Sequence, residues 1–111
     1  GEAQRFPAIV SGETAITAYG PVPAPGLTEG AHVEVIVRPE AVTLAPAGAR
    51  ESNFRIGDIR FLGRDWLVLL VNEASGALEP LRARVPALEG LAANASVAVR
   101  FDPAGTFIFP A

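Results

Sequence analysis

Glycine and proline interrupt this chain so often that long helices are excluded. Eleven Gly and ten Pro are distributed over 111 residues, and these residue types mark turns, since proline removes a backbone donor and glycine adopts turn conformations freely. The segments between the breaks are short, and their apolar residues alternate with polar ones. An alternation of period two is typical of half-buried β-strands. The sequence therefore predicts an all-β fold.

Alternating segments define the predicted core and the solvated side opposite it. Side chains two residues apart on a strand point to the same face, so one alternating set faces inward. In residues 31–38 the valines form one set, and His32, Glu34 and Arg38 form the other, which we expect to face water. The predicted inward residues are Phe6, Ala8, Val10, Val33, Val35, Val37, Ile59, Phe61, Leu81, Ala83, Val85, Val97, Val99 and Phe101.

The breaks between these segments predict the connections. Pro7 is expected to confine the first strand to a sheet edge or a strand end, because proline cannot donate to a ladder. Residues 11–13 and 72–76 are predicted hairpin turns, and Asp102 followed by Pro103 predicts a type I turn. Residues 21–26 are interpreted as a Pro-rich connector, residues 45–52 as a mobile loop of small residues, and residues 86–95 as room for one helical turn.

About eight or nine short strands are therefore expected, and many short strands at close spacing favour a small barrel or sandwich. A barrel of the OB-fold kind is the leading variant. We expect a single domain over residues 1–111. Because the chain begins at Gly1 without an initiator Met, we interpret it as a fragment excised from a longer protein.

One predicted strand is apolar at every position instead of alternating. Such a strand requires cover on both faces, one face from the barrel interior and the other from a loop, a neighbouring domain or a second copy of the chain. The run is too short to span a bilayer, which needs about twenty residues. This strand, which a partner would cover, consists of Trp66, Leu67, Val68, Leu69, Leu70 and Val71.

Composition excludes most catalytic classes. There is no Cys, all nine basic residues are Arg, and His32 is the single histidine. Without Lys, a GxxxxGK[ST] phosphate-binding loop and a Schiff-base lysine are excluded, and without Cys there are no thiolate metal sites. We therefore expect this chain to be no enzyme and to hold no metal or cofactor of its own.

The remaining polar residues offer weaker alternatives. The carboxylates of Glu34, Glu40, Asp58 and Asp65 invite an acid–base or hard-metal interpretation, but their places on polar faces and in turns favour solvated surface. His32 supplies a single ligand and makes no metal site by itself. Arginines and aromatic residues are typical of nucleic-acid-binding barrels, but a net charge of −3 argues against that partner, which needs clustered positive charge.

The most informative segment runs from residue 35 to residue 44. A strand of alternating valines ends at Pro39, which fixes the backbone and predicts a barrel corner. Arg38 and Glu40 flank this proline and would form a surface ion pair if the strand direction persists through it. The sequence Val37-Arg38-Pro39-Glu40 resembles the signature of the TOBE domain, which is found at the C-terminus of bacterial ABC-importer ATPase subunits.

The rest of the chain resembles the TOBE pattern in order. Residues 53–63, with the segment 57–63 at their end, resemble the family's next strand, and the apolar run after them resembles the strand that follows. Residues 81–85, 96–101 and 107–109 resemble its last strands, and residues 5–8 its first. Asn94 stands where the family usually has glycine. Asparagine tolerates the left-handed backbone conformation, so this departure does not argue against the fold. The family-signature positions are Arg38, Pro39, Glu40, Gly57 and Gly63.

The resemblance implies a non-catalytic dimerisation and regulatory domain of an importer's ATP-binding protein. It implies a homodimer through the barrel, an N-terminal ATPase domain in the parent with ATP and Mg, and permease subunits contacted only through that parent. It further implies a cytoplasmic place at the inner face of the membrane, and the closing residues suggest ferric iron or a polyamine as cargo. Two alternatives stay open: a free-standing small-oxyanion-binding barrel of the molybdate-binding type, and an OB-type nucleic-acid-binding module.

Overall fold

Ten β-strands and no α-helix make up the described part of the chain. The structure, a computed structural model, describes residues 3–46, 54–72 and 79–111. The strands are β1 (Gln4–Ser11), β2 (Thr14–Thr17), β3 (Gly20–Pro23), β4 (His32–Val37), β5 (Val42–Pro46), β6 (Phe54–Phe61), β7 (Trp66–Asn72), β8 (Leu81–Val85), β9 (Ser96–Phe101) and β10 (Thr106–Pro110).

The strands form two antiparallel sheets of five strands each. The first sheet has the order β10-β4-β1-β2-β3, and the second has the order β5-β9-β6-β7-β8. The chain crosses from the first sheet to the second between β4 and β5 and returns between β9 and β10. One apolar core lies between the sheets, which confirms the predicted all-β, OB-like fold with ten strands in place of eight or nine. Among the described residues, no helix has the length and apolar character needed to cross a membrane.

The predicted inward faces form most of this core. Val33, Val35 and Val37 are 5%, 0% and 0% exposed, whereas His32 lies on the exposed side of β4. Val35 is paired with Phe6 of β1 on one side and with Ile108 of β10 on the other. The inward sets of β1, β8 and β9 are also buried or half-buried, so the alternation identified the core-facing side of four strands correctly.

The prediction that Pro7 confines β1 to an edge or a strand end is wrong. β1 lies in the middle of its sheet, between β4 and β2. The N–H of Val10 donates to the carbonyl of Ala31, and the carbonyl of Val10 accepts from the N–H of Gly30, both in the segment that leads into β4. The backbone groups of Val10, and of the residues two and four positions before it, therefore face β4. The nitrogen of Pro7 therefore faces the β2 side, where pairing begins only at Ile9. No ladder bond is lost, because β2 is too short to reach the proline.

The Pro-rich connector predicted at residues 21–26 begins as an edge strand. Pro21 and Pro23 belong to β3, which pairs only with β2. Ala24 donates its N–H to the carbonyl of Glu13 at 2.8 Å, across the pair of β2 and β3. The backbone groups of Val22, two residues earlier, therefore also face β2. The two proline nitrogens face the open edge, the place in a sheet where a missing donor costs least.

A β-bulge interrupts β6 and changes which of its residues face the core. The pairing with β7 shifts between Ile56 and Ile59, at Gly57. The backbone of Ile56 is bonded to the turn before β9. Its N–H donates to the carbonyl of Ala95 at 2.9 Å, and its carbonyl accepts from the N–H of Asn94 at 2.8 Å. Asn94 has a φ of 68°, the left-handed conformation expected at this position.

Phe61 is not a core residue, contrary to the prediction from alternation. Its side chain is 59% exposed and packs against Trp66, with the ring centroids 4.7 Å apart. The two residues pair at the end of the β6–β7 ladder. Alternation predicts the face of the sheet to which a side chain points, but it cannot show that a strand continues past the end of the core.

The two crossings between the sheets are short 3-10 turns that lie side by side. The first corner is Pro39–Ala41 and the second corner is Pro103–Gly105. The carboxylate of Asp102 accepts from the N–H of Ala104 at 2.9 Å, which fixes the start of the second corner. The predicted barrel corner at Pro39 and the predicted turn after Asp102 are both confirmed.

Backbone hydrogen bonds connect the first corner to the second. Arg38 donates its N–H to Gly105 at 3.0 Å, and Asp102 donates its N–H to Ala41 at 2.8 Å. Ala41 and Gly105 are packed so closely that a Cβ placed on Gly105 would lie 2.6 Å from the Cβ of Ala41. Glycine is therefore required at this position by close approach, and not by an unusual φ angle.

The remaining connections are turns. Residues 86–95 contain no helix, and the N–H groups of Leu91 and Ala95 donate three residues back, to Leu88 and Ala92. The loop predicted at residues 45–52 and the turn predicted at residues 72–76 fall mostly outside the described residues. Their described ends belong to β5 and β7.

Replacement of Val35 by Asp tests the assignment of faces on β4. Val35→Asp places an unpaired carboxylate in the core, so we expect the free energy of unfolding to fall by about 3 kcal/mol or more. Glu34→Asp, on the solvated side, should change it by less than about 0.5 kcal/mol. Urea unfolding followed by circular dichroism measures both. Equal losses would mean that the inward and outward faces are exchanged.

Replacement of Gly105 by Ala tests the packing of the corners. The added methyl group would overlap Ala41, so we expect a loss of about 2 kcal/mol in the free energy of unfolding. Gly57→Ala is the matched control, because its Cβ would meet ordinary contacts at 3.5 Å. We expect that control to change stability by less than about 0.5 kcal/mol. A silent Gly105→Ala would show that the corners can separate without cost.

Candidate functional site

The five family-signature positions shape the chain and do not converge on one site. Pro39 is fully buried in the first corner, while Arg38 and Glu40 on either side of it are exposed. No ion pair joins these two among the described residues, because the chain turns at Pro39 and does not continue as a strand. Gly57 lies at the bulge of β6, and Gly63 has a φ of 94° in the β6–β7 turn.

The carboxylates considered from the sequence do not come together in one cluster in the described part of the chain. Within residues 3–46, 54–72 and 79–111, no three His, Asp or Glu side chains are placed to hold a metal ion. Three of the four carboxylates considered from the sequence bind arginines instead. The distances are 3.1 Å for Glu34–Arg5, 3.1 Å for Asp58–Arg60 and 2.9 Å for Asp65–Arg84. The outward surfaces of the two sheets are the candidate functional sites.

The predicted partner-covered strand is β7, and its outward side is half-buried. Val68 and Leu70 are 0% exposed in the core, whereas Leu67, Leu69 and Val71 point to the other side of the sheet and are partly exposed. Each of these three is paired with an arginine on a flanking strand. The pairs are Arg60–Leu67, Arg84–Leu67, Arg82–Leu69 and Arg55–Val71.

Long arginine stems can cover apolar neighbours while their charged ends stay in water. The flanking strands thus supply part of the outer cover that the sequence required, and cover by a partner stays a prediction. We call this surface the arginine face: Leu67, Leu69, Val71 and the flanking Arg55, Arg60, Arg82 and Arg84.

Two aspartates orient arginines of this face. Asp58 accepts from Nε of Arg60 at 3.1 Å, and Asp65 accepts from Nε of Arg84 at 2.9 Å. The hydrogen bond and the charge of Asp65 raise the pKa of Arg84, and Glu40 adds to the effect. The sequence did not predict this surface, because its arginines become neighbours only through the pairing of β6, β7 and β8.

A second surface, on the outward side of the first sheet, is apolar. Four large hydrophobic side chains lie there: Ile9 and Ile16 are each 48% exposed, Phe107 is 41% exposed and Phe109 is 49% exposed. Strand register joins these side chains into continuous rows across the sheet. The rows are Phe107–Ile36–Arg5, Phe109–Glu34–Pro7 and His32–Ile9–Ile16–Pro21. We call the surface formed by these ten residues the apolar face.

Charged groups are few on the apolar face. Arg5 and Glu34 form an exposed ion pair at 3.1 Å, with side chains 69% and 41% exposed. The sequence contained a signal for this surface, since Ile9 and Ile16 stand at positions where alternation calls for polar residues. Alternation alone identifies the inward set of each strand and does not show that outward apolar residues of different strands are neighbours.

Polar contacts close the barrel between β1 and β8. The Gln4 side chain donates to the Arg82 carbonyl at 2.8 Å and accepts from the Arg82 N–H at 2.6 Å. The Tyr19 hydroxyl donates to the Glu79 carbonyl at 2.9 Å, and burial followed by the charge of Glu79 raises the pKa of that hydroxyl. A cavity of about 300 Å³ lies beside these residues. The side chains of Gln4 and Tyr19 are thus bonded within the chain, and these contacts have a structural role.

Comparisons with known proteins agree with this architecture. The structure is similar to a crystal structure of the cytoplasmic molybdate-binding protein ModG with molybdate bound. The TM-score is 0.69, the sequences are 16% identical, and the alignment covers 97% of this chain and 96% of that one. A search of curated proteins found no significant match. The family model of the TOBE domain matches residues 35–109, which include both corners and seven of the ten strands in whole or in part. The chain belongs to the TOBE domain family.

Proposed function

We propose that this chain is a non-catalytic dimerisation and regulatory domain of the ATP-binding subunit of an ABC importer. Membership of the TOBE family supports the proposal, as does the resemblance of its segments, in order, to the barrels of such subunits. The parent protein would carry the ATPase domain with ATP and Mg and would contact the permease subunits. It would lie at the cytoplasmic side of the membrane, with ferric iron or a polyamine as the proposed cargo.

The observation that carries the dimerisation role is the apolar face. Monomeric soluble proteins rarely expose contiguous apolar patches larger than a few hundred Å². Here four large hydrophobic side chains, each more than two-fifths exposed, lie on one sheet face, and prolines and Ile36 connect them. The free energy of the system falls when a partner removes a surface of this kind from water.

A second copy of the chain is the partner that fits this surface. In a two-fold symmetric contact the same patch faces itself, so each side chain must tolerate its own symmetry mate or a neighbour of it. Isoleucine, phenylalanine and proline satisfy that condition. Arg5 and Glu34 lie in adjacent rows of the face and could exchange partners across the two-fold axis, so that neither charge is left unpaired in the contact.

Replacing apolar-face residues by Glu tests the dimer. We expect Ile16→Glu and Phe109→Glu each to weaken self-association by about tenfold or more, because each places a charge in a desolvated contact. Sedimentation equilibrium at high micromolar concentration measures the dissociation constant. Leu62→Glu is the control: Leu62 is 44% exposed but lies outside the apolar face, so the dimer should persist.

Two results would contradict the proposal. A wild-type chain that sediments only as a monomer at high micromolar concentration would remove the dimerisation role. A coding sequence upstream of residue 1 that contains no GxxxxGK[ST] phosphate-binding loop would remove the importer parent. Thermal unfolding of each variant separates a lost contact from a lost fold.

A free-standing oxyanion-binding barrel is the second candidate function. The observation that favours it is the similarity to ModG, a molybdate-binding protein whose structure matches over nearly the full length of both chains. Arginine and backbone N–H groups are suitable ligands for a tetrahedral oxyanion, and this chain has nine arginines.

Calorimetry with molybdate, tungstate and sulfate separates the two candidates. For the importer domain we expect no saturable heat at micromolar anion, because its proposed role depends on contacts of the apolar face and not on anion binding. Saturable heat with molybdate and tungstate, and not with sulfate, would favour the second candidate. The measurement should be made at high protein concentration, so that a site between two copies is also populated.

A further inference from the structure

We infer that the open edge of β10 binds an extended segment of a separate polypeptide as an added strand, with one apolar side chain of that segment in a cavity beside the edge. β10 is the outermost strand of the first sheet, and in the described part of the chain it pairs only with β4. This edge lies in the plane of the sheet, whereas the apolar face lies on its outward side. The inference therefore goes beyond the proposed dimer and does not depend on it.

Hydrogen bonds at the two ends of β10 show which of its backbone groups face β4. The carbonyl of Gly105 accepts from the N–H of Arg38 at 3.0 Å, and the N–H of Ala111 donates to the carbonyl of His32 at 3.2 Å. Backbone groups of successive residues point to opposite sides of an antiparallel strand, so residues 107 and 109 also face β4. The residues whose backbone groups face the open edge are Thr106, Ile108 and Pro110.

These open groups are mostly acceptors. The N–H of Thr106 already donates to the carbonyl of Pro103, and Pro110 has no N–H, so Ile108 supplies the available donor of the edge. The carbonyls of Thr106, Ile108 and Pro110 remain as acceptors. An antiparallel strand centred on Ile108 can accept from its N–H and donate to each of these carbonyls. Pairing of this kind gives an extended peptide its affinity for a sheet edge.

The same groups favour a separate segment over β10 of a second copy. Two copies of β10 that pair about Ile108 would place Thr106 of one copy opposite Pro110 of the other. Proline has no N–H to donate, and the N–H of Thr106 is already bonded, so the pairing would be limited to the two Ile108 residues. A segment without proline supplies an N–H at every position and completes the ladder.

Other sheet edges are closed to a strand of this kind. The nitrogens of Pro21 and Pro23 face the open side of β3 and remove its donors. On β8 the Gln4 side chain bonds both the N–H and the carbonyl of Arg82. β5 lies close to β8, the strand at the other end of its own sheet. The edge of β10 is therefore the place where an added strand fits best.

A cavity of about 160 Å³ lies beside this edge. It is comparable with the cavity of roughly 150 Å³ that holds a benzene molecule in a protein core. Its wall includes Val33 of the core and Ile108, both on the inward side of the first sheet. The apolar residues that line it are Leu27, Ala31, Val33, Ile108, Phe109 and Pro110.

The position of the cavity specifies the side chain that the segment carries. Residues directly opposite each other on paired strands direct their side chains to the same face of the sheet. The residue of the added strand that pairs with Ile108 therefore points inward, toward the cavity. An apolar side chain the size of leucine fits there, and its burial gives the site its selectivity. Alternate residues of the segment point outward and can be polar.

The test uses a labelled octapeptide of the sequence Lys-Thr-Val-Thr-Leu-Thr-Val-Lys, which contains no proline and alternates as the edge requires. Fluorescence anisotropy should show saturable binding to the wild-type chain. The same peptide with an N-methyl group on its leucine lacks the central donor, and we expect it to bind about fivefold more weakly. Replacement of that leucine by serine should weaken binding about tenfold, because the cavity is left unfilled.

Amide hydrogen exchange followed by NMR identifies the edge directly. Saturation with the peptide should slow exchange of the Ile108 N–H by about tenfold or more, because this group becomes bonded. The Phe107 N–H, which faces β4, is the internal control and should change less. Protection of Ile108 that rises with protein concentration in the absence of peptide would show that two copies pair through β10, and it would overturn the inference.

Leu27→Asp and Leu62→Asp are matched variants, because the two side chains are 42% and 44% exposed. Leu27 lines the cavity, so its replacement should weaken peptide binding about fivefold or more, whereas Leu62→Asp should leave the affinity within about twofold of the wild type. Circular dichroism checks that each variant is folded. Equal losses in the two variants, or no saturable binding to the wild type, would overturn the inference.

Ile16→Glu separates this inference from the proposed dimer. It alters the apolar face, and we expect it to bind the peptide with the affinity of the wild type whether or not self-association is lost. A loss of peptide binding in this variant would place the peptide on the apolar face and overturn the inference. Sedimentation of the same variant reports the dimer independently.

Discussion

The contact between the two 3-10 corners holds the two sheets in register. The chain crosses from the first sheet to the second at Pro39–Ala41 and returns at Pro103–Gly105, and reciprocal backbone hydrogen bonds connect these crossings. β4 and β9, the strands that lead into the corners, are interior strands of their sheets. A shift of one corner would therefore displace pairing in both sheets. This constraint explains why Arg38-Pro39-Glu40 is a recognisable pattern although its side chains do not converge on one site: the pattern specifies a crossing, with Pro39 buried at its centre.

The outward faces of the two sheets differ in how their apolar residues are covered. A small barrel cannot cover all of its strands with its own chain, so the outward positions must tolerate water or a partner. In the second sheet, β7 is apolar on both sides, and arginines on β6 and β8 are paired with its outward leucines. In the first sheet the outward isoleucines and phenylalanines have few charged neighbours, and they stay two-fifths to one-half exposed. The outward residues of β7 are half-buried beside charged arginines, whereas those of the first sheet leave more apolar surface in water.

Local pattern predicted the core well and the position of strands within sheets poorly. The alternation of Val33, Val35 and Val37 requires only that one face is buried, and all three are in the core. Whether Pro7 fits an interior strand depends on which neighbour its nitrogen faces and on where β2 ends, and both are set by pairing between distant segments. The exposure of Phe61 depends on how far β6 extends past the core. The arginine face follows from the register of three strands, so its residues are neighbours in space but scattered in sequence.

The affinity and the specificity of a binding surface have different physical sources. Burial of apolar area supplies most of the free energy of association but discriminates weakly among partners. Arginines held by aspartates add little energy each when exposed, but they favour partners whose carboxylates are correctly spaced. In this chain the exposed apolar side chains lie on the first sheet, and the ion-paired arginines lie on the second. A dimer formed through the apolar face would then display two arginine faces directed away from each other, with their aspartate-bonded arginines still in contact with water.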